Sequence, residues 1–332
     1  MSRVVCHLLL MGVCAGSTAQ ANSLIDHPLS RSVIDALVTE HSFDRSEMEA
    51  LFAEGEYLER NVESLANPAE RTQSYHQYRP MFISDAMIEN GRRFMDEQAQ
   101  WLDKAEERTG VAPEVIAAII GVETRYGGFL GQHRTFDALG TLAVTEGRRA
   151  NYFQRELINF MGISRDQGFA PRSVNGSYAG AMGYPQFMPS SYLAYAIDLD
   201  EDGDIDIWND PIDAIGSVAN YLGQHGWRRG QLVATRAHVS GDYLSVKLNS
   251  FDRDQDLIDV RAKGWEPVQA LSDDAQVHPI RLDGELGAEF WLGYRNFWAI
   301  SRYNRSIVYS MAVYQLSEEL RTAVQSAREG AQ

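Results

Sequence analysis

Apolar residues recur at helical spacing along most of the chain. From Ser23 to about Arg79 the pattern is helical, and Ser46-Glu47-Met48-Glu49-Ala50-Leu51-Phe52 reads as a helix start, with a good cap and an acidic first turn. From about Ile83 to Thr109, the residues Met87, Phe94, Met95, Trp101 and Leu102 form a second helical stripe. Pro113 then stands where a first helical turn tolerates proline, and Val115-Ile116-Ala117-Ala118-Ile119-Ile120-Gly121-Val122 follows. A helix apolar nearly all round is a buried helix. Further helices are predicted at about Arg148–Gly162, Pro189–Ile197 and Pro211–His225, and a last one from about Ser310 to Arg328. After Gly230 the character changes to short β-type runs, at Leu232–Val239, Tyr243–Leu248 and near Val277–Arg281, broken by Gly and Asp turns. Aromatic density rises again from Phe290 to Tyr314. The pattern predicts an α+β protein, mainly helical, with a small β lobe inserted late.

Composition sharpens this picture. A chain of 332 residues with 44% hydrophobic residues can bury a substantial core. A formal charge of −16 argues against nucleic acid or an anionic membrane as partner, because those sites need clustered Lys and Arg. The start of the chain reads as an export signal at 1–21: Arg3, a mostly apolar run from Val4 to Val13, and Ala19-Gln20-Ala21 as the small-x-small cleavage pattern. The apolar run is too short to cross a bilayer. Val13 stands before Cys14 where a lipoprotein would carry a small residue, so a soluble product is expected. Both cysteines, Cys6 and Cys14, lie inside the signal, and a mature chain without cysteine suits an oxidising compartment such as the periplasm.

Two segments carry candidate chemistry. Glu123 stands at the end of the apolar helix, in Gly121-Val122-Glu123-Thr124-Arg125-Tyr126-Gly127. Surrounding Ile and Val side chains and the negative end of the helix dipole both disfavour a charged carboxyl there, which is what a general acid needs. On composition alone, a structural salt bridge is an equally good account. The second segment is Ser177-Tyr178-Ala179-Gly180-Ala181-Met182-Gly183-Tyr184-Pro185-Gln186-Phe187-Met188-Pro189-Ser190-Ser191-Tyr192. Its glycines let backbone approach closely, and Ser177, Gln186 and the aromatic rings offer hydrogen bonds and flat faces that suit sugars.

Together these motifs resemble the lysozyme-like lytic transglycosylases, specifically the membrane-bound lytic murein transglycosylase B family, from about Asp44 to the C-terminal helix. The resemblance implies a lysozyme-like core at 81–229, an N-terminal helical lobe at 22–80 joined by the C-terminal helix of about 305–328, and a β lobe at 230–300. It implies Glu123 as the catalytic acid/base and Ser177 as an active-site hydroxyl. Gln186 and Phe187 would contact substrate, as would Tyr78 and the pair Arg148 and Arg149. Arg302-Tyr303-Asn304-Arg305-Ser306 matches a late segment of the family, which makes Tyr303, Asn304 and Tyr309 groove candidates, with Tyr221 as another. Tyr221 and Tyr309 are also readable as aromatic core.

The activity implied is cleavage of the bond between MurNAc and GlcNAc in peptidoglycan, leaving 1,6-anhydro ends, with peptidoglycan strands as substrate and cell-wall synthesis enzymes as potential partners. A glycosidase that uses water normally needs two carboxylates, and no convincing second one accompanies these motifs. The rivals are a hydrolytic muramidase on the same fold and a wall-binding protein without activity.

Asp198-Leu199-Asp200-Glu201-Asp202-Gly203-Asp204-Ile205-Asp206-Ile207-Trp208-Asn209-Asp210 reproduces the calcium loop of an EF-hand through its oxygen ligands, its central Gly and Ile205. Asn209 stands where the closing Glu belongs. The family places an Asp slightly downstream, which points to Asp213, but one extra residue before Pro211 leaves the last ligand open. The expected set is Asp198, Asp200, Asp202, Asp204 and Asp213, around a structural calcium ion.

Overall fold

The computed structural model describes residues 23–66, 73–252, 255–270, 272 and 274–330. The export signal expected at 1–21 lies outside them.

The first helices, Ser30–His41, Arg45–Glu54 and Glu59–Ala66, surround Leu24 and lean on a helix at Thr135–Val144. The cap of the second is Asp44, whose carboxylate accepts from Glu47 N at 3.0 Å; Ser46 donates its hydroxyl to that same carboxylate instead of capping. Ser84 likewise caps Asp85–Glu97, and Ala99–Thr109 follows after Gln98 interrupts the run.

The predicted apolar helix is Pro113–Thr124, with every residue from Val115 to Val122 buried. It is enclosed by Asp85–Glu97, Ala99–Thr109, Pro211–Gln224 and the C-terminal helix Ile307–Gly330. Arg79 also reaches the C-terminal helix, donating from Nε to Gln315 at 2.8 Å. The helix Thr135–Val144, which packs on Ala150–Asp166, has all ten residues buried and was not predicted. Without a polar face it shows no amphipathic period to read.

Among the described residues, two small antiparallel sheets complete the fold. His133–Arg134 pairs with Asn175–Gly176. In the other sheet the order is Trp265–Pro267, Ala234–Val239, Gly287–Gly293, His278–Gly284. Tyr243–Leu248, expected as a strand, instead begins with a 3-10 turn at Tyr243–Ser245, because the Asp242 carboxylate accepts from Leu244 N at 2.9 Å and curls the backbone. The larger sheet uses both faces. Ile280, Leu282 and Trp291 join the main core, which also contains Leu24 and Leu320, while Leu292 turns the other way into a small core with Leu257, Val260 and Trp265.

Candidate active site

The chain leaves the buried helix through a tight turn. Arg125, Tyr126 and Gly127 are consecutively left-handed, with φ of 53°, 60° and 85°. Thr124 supports the turn: its hydroxyl lies 3.1 Å from the Ile120 carbonyl oxygen and accepts from Gly127 N at 3.1 Å. Tyr126 folds back under the helix end, into space that two glycines leave open. A Cβ on Gly121 would stand 2.6 Å from its ring, and one on Gly91 2.3 Å from its hydroxyl.

Glu123 is thereby fixed at the rim, half-buried. Its Oε1 accepts from the Tyr309 hydroxyl at 2.6 Å. Burial, and then the charge of Glu123, push the Tyr309 and Tyr303 hydroxyls well above their ordinary value, so both remain phenols that can donate. Tyr303 donates to the Pro185 carbonyl at 2.5 Å and Tyr221 to the Arg302 carbonyl at 2.5 Å. Phe187 lies against both rings, at centroid distances of 5.8 Å from Tyr303 and 5.7 Å from Tyr221. Phe187 and Tyr221 are 2% and 8% exposed, so in this state they back the wall rather than present open faces. Tyr78 is buried as well, its ring 4.9 Å from Phe82 and its hydroxyl close enough to influence Tyr309.

In the Gly-rich segment, Ser177 Oγ accepts from Ala179 N at 3.2 Å and Ala181 N at 3.0 Å. Two accepted bonds occupy a hydroxyl's lone pairs, so its remaining capacity is to donate. Gln186 is left-handed at φ 49° and gives its amide hydrogens to Gly183 O at 2.9 Å and Leu130 O at 3.2 Å. It thus ties the loop after Glu123 to the Gly-rich segment. Asn304 is half-buried just before the C-terminal helix. Arg148 and Arg149 stand on an exposed turn, with Arg149 over the Tyr152 and Phe153 rings at 5.2 and 4.9 Å.

The acidic loop gathers two overlapping groups of carboxylates, Asp198 with Asp200 and Asp202, and Asp200 with Asp210 and Asp213. Buried Asp213 accepts from Leu199 N at 2.9 Å and Asp206 N at 2.8 Å, and burial pushes its carboxyl up to about 6. Asp210 is raised by burial and then by Asp200, Asp202 and Asp206. One oxygen of Asp200 is buried without a donor. Crowded, repelling carboxylates with an unpaired oxygen are what a hard divalent cation would neutralise. The Asp204 side chain, expected in the set, belongs to neither group; the seventh position of such a loop offers its backbone carbonyl instead.

A family model described as the transglycosylase SLT domain matches residues 27–318. The chain belongs to this transglycosylase family. It is 39% identical over 307 residues to the membrane-bound lytic murein transglycosylase B of Escherichia coli K12, covering 90% of this chain and 84% of that protein. The soluble lytic transglycosylase SltB1 from Pseudomonas aeruginosa superposes with a TM-score of 0.83 at 42% identity, over 89% of this chain and 99% of that one. The Escherichia coli lytic transglycosylase Slt35, solved in complex with calcium, gives 0.83 at 40% identity over 90% and 94%. The present protein is therefore a lytic transglycosylase of peptidoglycan, with the mainly helical, lysozyme-like fold that the motifs implied. Among the described residues no helix is long and apolar enough to cross a membrane.

The transglycosylase gathers Glu123, Tyr309, Tyr303, Tyr221 and Phe187 into one connected cluster, with Gln186 bracing the loop beside it. The sequence reading missed Thr124 and Tyr126 as supports of Glu123, and Asp210 as a member of the acidic groups. Asp210 had a signal, since it continues the same acidic run and stands directly before Pro211.

Proposed function

We propose that Glu123 is the single acid/base of the transglycosylase. As a carboxylic acid it protonates the oxygen bridging MurNAc C1 to GlcNAc, the C1–O bond breaks, and GlcNAc leaves with a new hydroxyl. The resulting carboxylate then takes the proton of the MurNAc C6 hydroxyl as that oxygen closes on C1, giving the 1,6-anhydro ring and restoring the acid. One carboxyl group suffices because no water enters. The observation that supports this most is the bond from Tyr309 to Glu123 Oε1 at 2.6 Å. A buried phenol thus holds in place the carboxyl group that carries the transferred proton. The Ser177 hydroxyl, limited to donating, suits the carbonyl of the MurNAc N-acetyl group, and Gln186, with both amide hydrogens engaged, offers an acceptor.

Calcium is assigned to the acidic loop, held by carboxylates of Asp198, Asp200, Asp202, Asp210 and Asp213, where it would neutralise charge and stiffen the core next to the Gly-rich segment. Tyr184 N donates to Ile207 O at 2.9 Å, which ties the two segments together. The reading places the mature protein in the periplasm after loss of 1–21.

Mass spectrometry of muropeptides released from purified peptidoglycan tests the assignment. The mature protein should give anhydro-ended products and Glu123→Gln none. Products one water heavier would show a hydrolase, and full activity of Glu123→Gln would remove Glu123 from the role.

A further inference from the structure

The net charge of −16 is unevenly placed along the chain. No Asp or Glu occurs from Ala214 to Gly241 or from Phe290 to Ser317, and these two stretches carry Arg228, Arg229, Arg236, Arg295, Arg302 and Arg305. The fold brings them together. The helix Pro211–Gln224 packs on the helix Arg295–Tyr303, and Asn296 clamps the loop that follows the former. The Asn296 side-chain oxygen accepts from Arg228 N at 2.8 Å, and its amide donates to the Arg228 and Gln231 carbonyls at 2.9 and 2.8 Å. Arg295 Nε donates to Gly226 O of the same loop at 2.8 Å.

The helix Arg295–Tyr303 buries Asn296, Phe297, Ala299, Ile300 and Ser301. Arg295, Trp298 and Arg302, spaced by three and four residues, therefore share its outward side. Arg302 is exposed, its guanidinium 5.5 Å from the centre of the Trp298 ring. Beside it stands His225, close enough to feel the Arg302 charge, and half-buried Tyr195 lies 5.1 Å from the His225 ring. Three of the other arginines are committed within the fold. Arg229 donates to the Glu106 and Glu107 carbonyls, Arg236 pairs with Glu289, and Arg305 lies over Phe251 and acts on Asp252. Among the described residues no ion pair involves exposed Arg228 or Arg302.

Arginine and large aromatic side chains are enriched at the centres of protein interfaces, and guanidinium groups without a carboxylate are open to a paired one. We propose that the face formed by Arg228, Arg295, Trp298, Arg302 and Tyr195 docks an acidic segment of a partner protein, with carboxylates at Arg228 and Arg302 and an apolar side chain on Trp298. An anionic bilayer fits less well. Its extended plane would also meet the acidic remainder of the surface, whereas a short segment stays on the face, and charges farther away than about 8 Å are screened at physiological salt. Tyr303, at the end of the same helix, belongs to the Glu123 cluster, so a partner held here stands close to the active site.

Calorimetric titration of the full mature protein, in calcium and at low ionic strength, with a synthetic peptide of glutamates around one leucine tests this. Net charge alone predicts repulsion of such a peptide. The face predicts binding, with perturbed amide resonances at 195, 228 and 295–302. Arg228→Glu combined with Arg302→Glu should weaken binding at least about tenfold, because two attractions become repulsions. Its thermal midpoint should stay at the wild-type value, since neither side chain has an ion pair to lose. Arg228→Glu alone, on its exposed loop, should weaken binding about threefold or more. No binding by the wild type, equal binding by the charge-reversed variants, or shifts confined to other residues overturns the proposal. So does tighter binding to vesicles of phosphatidylglycerol than to the peptide, which would make the face a lipid site. Displacement of the peptide by a soluble muropeptide would overturn it too, by making the face an extension of the substrate groove.

Discussion

At the scale of single residues, Glu123 depends on side chains that hold its carboxyl group and its turn in place. Tyr309→Phe keeps the ring and deletes the bond to Oε1. A hydrogen bond to a group that gains charge is worth about 1.5–3 kcal/mol, so kcat should fall about 10- to 100-fold with KM little changed. Steady-state kinetics on a defined glycan reads the split, and an unaltered kcat would show that Tyr309 does not hold the acid in its working position. Gly121→Ala tests the turn in a different way. The added methyl stands 2.6 Å from the Tyr126 ring, whose hydroxyl end already fills the space over Gly91. Overpacking of that kind costs about 1–3 kcal/mol, visible as a lowered urea midpoint. Glu123 was legible in the sequence because its motif resembles a family; its supports were not. The contact from Tyr309 joins residues far apart in the chain, and the need for Gly121 appears only once Tyr126 is seen folded under it.

At the scale of elements, what could be read depended on how each element is buried. The helix Pro113–Thr124 was legible since a long apolar run after proline admits few other readings. Thr135–Val144 is as fully buried but shorter and holds two threonines. Gly287–Gly293 hid within an aromatic-rich stretch, because it supplies side chains to two cores and so lacks a simple alternation. The helix Pro211–Gln224 ends in a contest between two effects at His225. The helix dipole favours a cation there, yet the ring stacks on Tyr221 at 4.1 Å and burial lowers its pKa below the ordinary 6.5. A lowered folded-state value means that the stability is present above about pH 6.5 and is lost as pH falls through the folded value. The urea midpoint of the wild type should therefore drop more between pH 7.5 and 5 than that of His225→Phe. Parallel curves for the two proteins would show that His225 adds no acid sensitivity.

At the scale of the whole molecule, the transglycosylase carries a net charge of −16 and concentrates part of it in one loop. The spacing of Asp198, Asp200 and Asp202 made that loop legible. Its closing side was legible only in part: Asp213 was expected, while Asp210, beside the extra residue before Pro211, was not, and the fold brings both onto Asp200. With calcium at about a hundredfold its dissociation constant, binding to the folded state alone adds about 2.7 kcal/mol. Chelation should thus lower the Tm by several degrees and added calcium restore it. Magnesium should restore less, since it demands a tighter octahedral shell and gives up water reluctantly. Two variants separate this arrangement from a merely acidic surface. Asp213→Ala removes a carboxylate of the buried group and should abolish the calcium response, whereas Asp204→Ala removes an exposed charge outside both groups and should retain it. Equal loss in both would mean that bulk negative charge attracts the ion, and retention in both would place the ion elsewhere.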